Sequence, residues 1–191
     1  MNSKEIKTKA KDCLAGKWNI MALITLIVSA LMGAISSTMV GQFIVAGPLA
    51  LGFASCSLLV ARNQNVKIEN MFDGFGNFLN SLILYIITSL LIFLWSLLFI
   101  IPGIIKAYAY SMSFYLLKDN PEMGANEARK RSEQMMYGHK WELFCLHLSF
   151  IGWLILCILT FGILSFWVAP YMKVSEALFY EKLKTEPIIT K

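Results

Sequence analysis

Three stretches of the chain carry no Lys, Arg, Asp or Glu: Trp18–Ala61, Gly74–Ile105 and Leu143–Met172, of 44, 32 and 30 residues. One bilayer crossing takes roughly 20 apolar residues. Each stretch is too long for one crossing and fits two helices joined by a turn. The predicted crossings are Trp18–Thr38, Phe43–Ala61, Leu79–Ile100, Gly103–Leu117, Leu143–Leu159 and Ile163–Leu183. The expected fold is all-α: a polytopic helical membrane protein of six transmembrane helices, arranged as three hairpins in a single domain over residues 1–191.

The turn signals sit at Ser36–Gly41, at Pro102-Gly103 and at Thr160–Gly162. Proline cannot continue helical hydrogen bonding, and glycine accepts the dihedrals of a tight turn. Pro48 and Pro170 fall inside the predicted return helices, where kinks are expected.

The hairpins read as versions of one unit. A glycine followed closely by an aromatic opens each run: Gly16-Lys17-Trp18, Gly76-Asn77-Phe78 and Gly138-His139-Lys140-Trp141, with the glycines 60 and 62 residues apart. Pro48, Pro102 and Pro170 follow those glycines by 32, 26 and 32 residues. A short amphipathic piece precedes each glycine: "KTKAKDCLA", "KIENMFDGF" and "ARKRSEQMMY". Three approximate repeats are expected, over 4–62, 66–118 and 124–184, with the amphipathic pieces as short inner-surface helices.

Between Leu117 and Leu143 the local chemistry favours a helix. Asn120 suits an N-cap, Pro121 the first helical position, and Glu127 with Arg131 an i,i+4 pair. Met123, Ala128, Met135 and Met136 supply a modest apolar face, so this helix is expected along the inner membrane surface, with a solvated connecting helix as the alternative.

Charge sets the expected orientation. The N-terminal segment, the 62–78 loop, the 118–142 loop and the tail carry 15 of the 17 basic residues. The positive-inside rule puts these segments in the cytoplasm, together with both termini, and makes the chain a multi-pass protein of the cell membrane. The composition agrees, with 57% hydrophobic and 15% charged residues against about 25% charged in a soluble domain. The apolar run after the N-terminal lysines is too long for a secretory signal, so cleavage is not expected. The net charge of +5 reads as a topology signal, and nucleic acid is not an expected partner. Cys13, Cys56, Cys145 and Cys157 lack ligand spacing and read as small apolar fillers.

Four ionisable residues stand out as a candidate ligand or lipid site: Lys106, His147, Lys173 and Glu176. Lys106 follows the second turn and is expected to snorkel to the outer headgroups, or to hold a lipid phosphate there. Lys173 and Glu176 fall inside the last predicted crossing, three apart, where they would pair on one face; the competing reading bends the chain at Pro170 and lays Tyr171–Leu183 flat at the interface. His147 lies early in the fifth crossing and is expected to be packed and hydrogen-bonded. There is no HExxH, GxSxG or Walker glycine loop, so neither an enzyme nor a cofactor nor a metal is expected.

The runs "LWSLLFIIPGIIKAYAYSMSFYLLKDNPEM", "SEQMMYGHKWELFCLHLSFIGW", "GPLALGF" and "APYMKVSEALFYEKL" resemble domain-of-unknown-function family 975, small integral membrane proteins of Gram-positive bacteria. The resemblance covers nearly the whole chain. It implies a polytopic protein of the cytoplasmic membrane and brings no activity, substrate or catalytic residue.

Two functions fit this pattern. The first is a non-enzymatic membrane scaffold or accessory protein that binds membrane lipids, a membrane-protein partner or a second copy of itself. The alternative is a small transporter or permease with a midplane site near Lys173 and Glu176, because broken helices and intramembrane charges mark such sites.

Overall fold

The structure, a computed structural model, describes residues 3–35 and 39–185. Every regular element among them is a helix. α1 (Ser3–Leu14) buries Ile6, Ala10, Cys13 and Leu14, a one-face spacing, and exposes Lys4, Lys9 and Lys11. A short turn at Gly16, in the left-handed region at φ +76°, swings the chain through 96° into α2 (Trp18–Ile35). α3 (Met39–Ala61) runs unbroken through Pro48. The first expected turn falls partly at Ser36–Thr38, outside the described residues.

A 3₁₀ turn (Ile68–Phe72) and the one-turn α4 (Asp73–Gly76) follow and pack back onto α3. That contact requires glycine. A Cβ on Gly52 would collide with the Met71 carbonyl, and one on Gly74 with the Pro48 carbonyl. Then come α5 (Phe78–Leu98), α6 (Ile100–Tyr110), α7 (Ser113–Asp119), α8 (Ala125–Met135), α9 (Lys140–Leu148), α10 (Ile151–Leu159) and α11 (Ser165–Thr185).

The core gathers around α3 and α11, which pack on each other. Leu49, Cys56, Leu58, Met112, Leu116, Leu143, Phe150, Tyr171, Val174 and Leu178 form one buried cluster. Eleven residues of α11 are buried, including polar Ser175 and Glu176, so this helix is interior despite its charges. Cys13, Cys56 and Cys157 are buried, Cys145 is half-buried, and all four thiols are free.

Among the described residues, four windows are long and apolar enough to cross a membrane: Ile44–Ala61, Phe78–Leu97, Ile100–Asp119 and Lys140–Leu159. The bent pair α1–α2 makes a fifth if it counts as one span. The expected sixth, Ile163–Leu183, is not among them. α11 carries Lys173, Glu176, Glu181, Lys182 and Lys184, which lower its hydropathy.

Other details differ from expectation. The second turn is at Phe99, which is extended (φ −156°, ψ 137°), and not at Pro102-Gly103. Pro102 sits in the first turn of α6, where helical N–H groups lack intrahelical partners anyway. Gly103 instead permits close packing, since a Cβ there would collide with Ser96. The third turn lies where expected, with Phe161 and Gly162 at φ 52° and 84°.

α8 starts at Ala125 behind Gly124, and Asn120 does not cap it. The Asn120 amide donates to the Leu116 carbonyl at 3.0 Å, closing α7. The i,i+4 pair on α8 is Arg129–Glu133 at 3.9 Å rather than Glu127–Arg131. Met123, Ala128, Met135 and Met136 are buried, because α8 packs against α5, α6 and α7.

Candidate functional site

Two helix breaks shape the site, and each is stabilised from a distance. Between α6 and α7 the ladder is interrupted at Ser111–Met112. The fully buried Ser132 hydroxyl of α8 accepts from the Met112 N–H at 3.2 Å and donates to the Ala109 carbonyl at 2.8 Å. A buried backbone group without such a partner is costly. Between α9 and α10 the break lies at Ser149–Phe150, where the Lys7 ammonium of α1 donates to the Ser149 carbonyl at 2.9 Å and lies over the Phe150 ring.

These breaks bring side chains from four helices together. Glu176 of α11 is the centre, and its side chain is 8% exposed. Lys173, one turn earlier, donates to Glu176 Oε2 at 2.7 Å. His147, at the end of α9, lies 3.1 Å from Glu176 Oε1 through Nε2. The Tyr115 hydroxyl of α7 lies 3.4 Å from Glu176 Oε2 and 3.3 Å from the Lys173 carbonyl, so its single proton serves one at a time. Tyr108 of α6 lies 3.1 Å from His147 Nδ1. An ionised carboxylate only accepts, so a neutral His147 carries its proton on Nε2 and its Nδ1 accepts from Tyr108. Lys173 and Glu176 cancel in charge.

Lys173 is the exposed member, with 44% of its side chain accessible. It stands between two crevices. One, of about 480 Å³, is lined by Thr88, Ser89, Tyr108, His147 and Glu176 among others. The second, of about 350 Å³, is lined mainly by apolar Val28, Met32, Leu49 and Phe53. Tyr85, Ser111, Phe114 and Lys173 line both.

Of the four residues singled out by sequence, His147, Lys173 and Glu176 are therefore together and Lys106 is elsewhere. The Lys106 ammonium pairs with Glu133 of α8 at 2.5 Å and lies over the Trp95 and Tyr110 rings. Outer headgroups for Lys106 and the inner surface for α8 cannot both hold, since the two touch. Sequence reasoning missed Tyr108 and Tyr115. They are seven residues apart, two helical turns, which is the one available signal that they share a face.

A second ionic network lies at the other end of α11. Asp119 of α7 accepts from Arg62 (2.7 Å), Lys184 (2.8 Å) and the Tyr180 hydroxyl (3.0 Å), and Arg62 also reaches Glu181 at 2.6 Å. The hydrogen bond to Asp119, then that to Glu181, raises the Arg62 guanidinium above its ordinary value against the cost of its burial. No group of three potential metal ligands occurs among the described residues.

These features define an all-α protein whose apolar helices are compatible with a membrane and which holds a buried ionic cluster beside an open crevice. Its kin are identified by sequence. The profile of DUF975, described as a protein of unknown function, matches residues 1–108 and 97–186, and the chain belongs to that family. No curated protein matches the chain, and no solved structure does.

Proposed function

We propose that the chain is a non-enzymatic membrane protein that binds a lipid or lipid-like amphiphile. One observation carries this: two mostly apolar crevices, one carrying Thr88, Ser89, His147 and Glu176 and the other lined by Val28, Met32, Leu49 and Phe53, meet at the half-exposed Lys173. The polar head sits against Lys173, His147 and Glu176, and the hydrocarbon tail lies along Val28, Met32 and Phe53. Mostly apolar walls with a few convergent polar groups are the usual form of a small-molecule site. The pair Lys173–Glu176 offers one charge of each sign, so it suits a zwitterionic or an acidic head. This reading keeps both termini on the cytoplasmic side, where the basic residues concentrate, and so takes α10 and α11 as one hairpin although the charges of α11 keep it out of the candidate spans.

The test is a melting-temperature series on detergent-purified protein with phosphatidylglycerol, phosphatidylethanolamine and a neutral glycolipid, alongside native mass spectrometry for retained lipid. Stabilisation by the charged heads, lost in Lys173→Met, is expected. Equal response to all three lipids, unchanged in Lys173→Met, refutes the site.

A small permease using the same residues is the alternative, favoured by the ionisable cluster within apolar helices. Solute flux in proteoliposomes that fails in Glu176→Gln would establish it instead.

A further inference from the structure

α8 lies where a membrane-crossing hairpin would meet lipid. It packs inward through Ala125, Ala128, Ser132 and Met135. Its outer side carries Asn126, Glu127, Lys130, Arg131 and Gln134, all exposed. Its position along α5 is fixed by two contacts. Leu84 shares a buried cluster with Ala125 and Ala128. At the other end Glu133 holds Lys106, which lies over Trp95. α8 therefore runs beside α5 from about the level of Leu84 to that of Trp95. That is the middle of the apolar window Phe78–Leu97.

The opposite side of α5 is an apolar stripe: Leu79, Ile83, Ile86, Leu90, Phe93 and Leu97, all exposed. At 3.6 residues per turn these fall within an arc of about 80°, while buried Leu84 and Thr88 lie roughly 140° and 180° from its centre. The order across the hairpin is apolar stripe, α5, α8, charged side. α5 also packs on α3, but the outer side of α8 is exposed, so with the hairpin upright that side stands at mid-bilayer depth. The charged side of α8 would then face acyl chains, where ionisable groups are most costly.

Tilting the hairpin removes the conflict. We infer that α5 and α6 form a re-entrant hairpin: it enters one leaflet obliquely with the Leu79–Leu97 stripe on acyl chains and α8 on the aqueous side. The chain turns back at Phe99 inside the bilayer. Depth agrees. Seven residues separate Lys106 from Phe99, a rise of about 10 Å, against a hydrocarbon core about 30 Å thick. The residues next to the turn, Leu97, Phe99, Ile100 and Ile101, are all at least 70% exposed and all apolar. Phe72, Phe75 and Phe78, in successive ring contacts at 6.1 and 6.4 Å, stand where the stripe begins and suit an interfacial anchor. The lipid-binding reading of the Lys173 site is not needed for this inference.

The experiment uses the full chain with its four cysteines replaced by alanine and single cysteines at Phe99 or Lys130. An impermeant maleimide is applied to intact cells and to inverted vesicles. Phe99→Cys is expected to stay unlabelled from both sides and to react once detergent is added, while Lys130→Cys reacts from one side only. A bimane on Phe99→Cys is then compared in vesicles of lipids brominated near the carbonyl or near the methyl end. Quenching by the brominated lipids, and not by aqueous iodide, is expected for a tip inside the hydrocarbon of one leaflet. Labelling of Phe99→Cys from the side opposite Lys130→Cys, or quenching by aqueous iodide with none by either brominated lipid, overturns the inference. If the cysteine-free chain does not accumulate, both substitutions are made in the wild-type chain and labelling is read as the difference from it.

Discussion

Removing the Ser132 hydroxyl tests how the broken helix α6–α7 is held. Ser132→Ala deletes one oxygen and leaves the buried Met112 N–H without its partner and the Ala109 carbonyl without the proton Ser132 supplied. Each lost bond contributes about 1 kcal/mol net, and a buried group left unsatisfied costs about 1–3 kcal/mol. Ser132 and Met112 are both fully buried, so water does not replace the hydroxyl without rearrangement. A loss of about 2–3 kcal/mol follows. For a chain of this size that corresponds to a fall in melting temperature of roughly 5–10 °C. The assay is intrinsic tryptophan fluorescence of the purified protein during a thermal ramp in one detergent. The matched control is Gln134→Ala, an exposed position on the same helix. A fall of about 1 °C or less in Ser132→Ala, equal to that of Gln134→Ala, would refute the role given to Ser132.

Further outcomes follow from other contacts. Glu176→Leu should cost about 3 kcal/mol, because Lys173 and His147 lose their anion, and the double variant Lys173→Met/Glu176→Leu should recover much of it; additive losses in thermal melts would contradict the coupling. Gly52→Ala should cost about 3 kcal/mol or more by forcing the Met71 backbone off α3, visible as a lower melting temperature or loss of a monodisperse peak on gel filtration. Asp119→Ala should destabilise more than Arg62→Ala, since Asp119 joins three partners, while Arg62 is about a third exposed and its pairs are worth about 1 kcal/mol or less. Equal melting temperatures for those two variants would dismiss Asp119 as the hub.

Much of this was legible in the chain because it depends on near neighbours. The uncharged runs around Leu84 and Leu154 mark apolar helices, Phe161-Gly162 marks a turn, and the three-residue spacing of Lys173 and Glu176 places them on one face. The breaks at Ser111 and Ser149 were not legible. The groups that stabilise them, Ser132 and Lys7, come from 20 and 142 residues away. The close packing of α8 was not legible for a related reason. The composition of this helix marks a polar helix at a surface, but the small residues Ala125, Ala128 and Ser132 let it pack closely against the apolar helices. The turn at Phe99 was missed because Pro102-Gly103 is a sound local signal for a turn, and the early positions of α6 tolerate a proline as well.

α11 runs unbroken from Ser165 to Thr185 and carries both ionic clusters, Lys173 with Glu176 and then Glu181 with Lys184. Eight residues of helix between Glu176 and Lys184 make a rod of about 12 Å. Tyr115 and Tyr180, stacked at 5.6 Å, brace it midway. A rod is stiff along its axis, so a pull at Asp119 that slides α11 arrives at Glu176 almost undiminished. The two clusters thus keep a fixed separation and move as one load-carrying part, and a force applied at the polar end is felt at the crevice without any intervening side chain having to change rotamer.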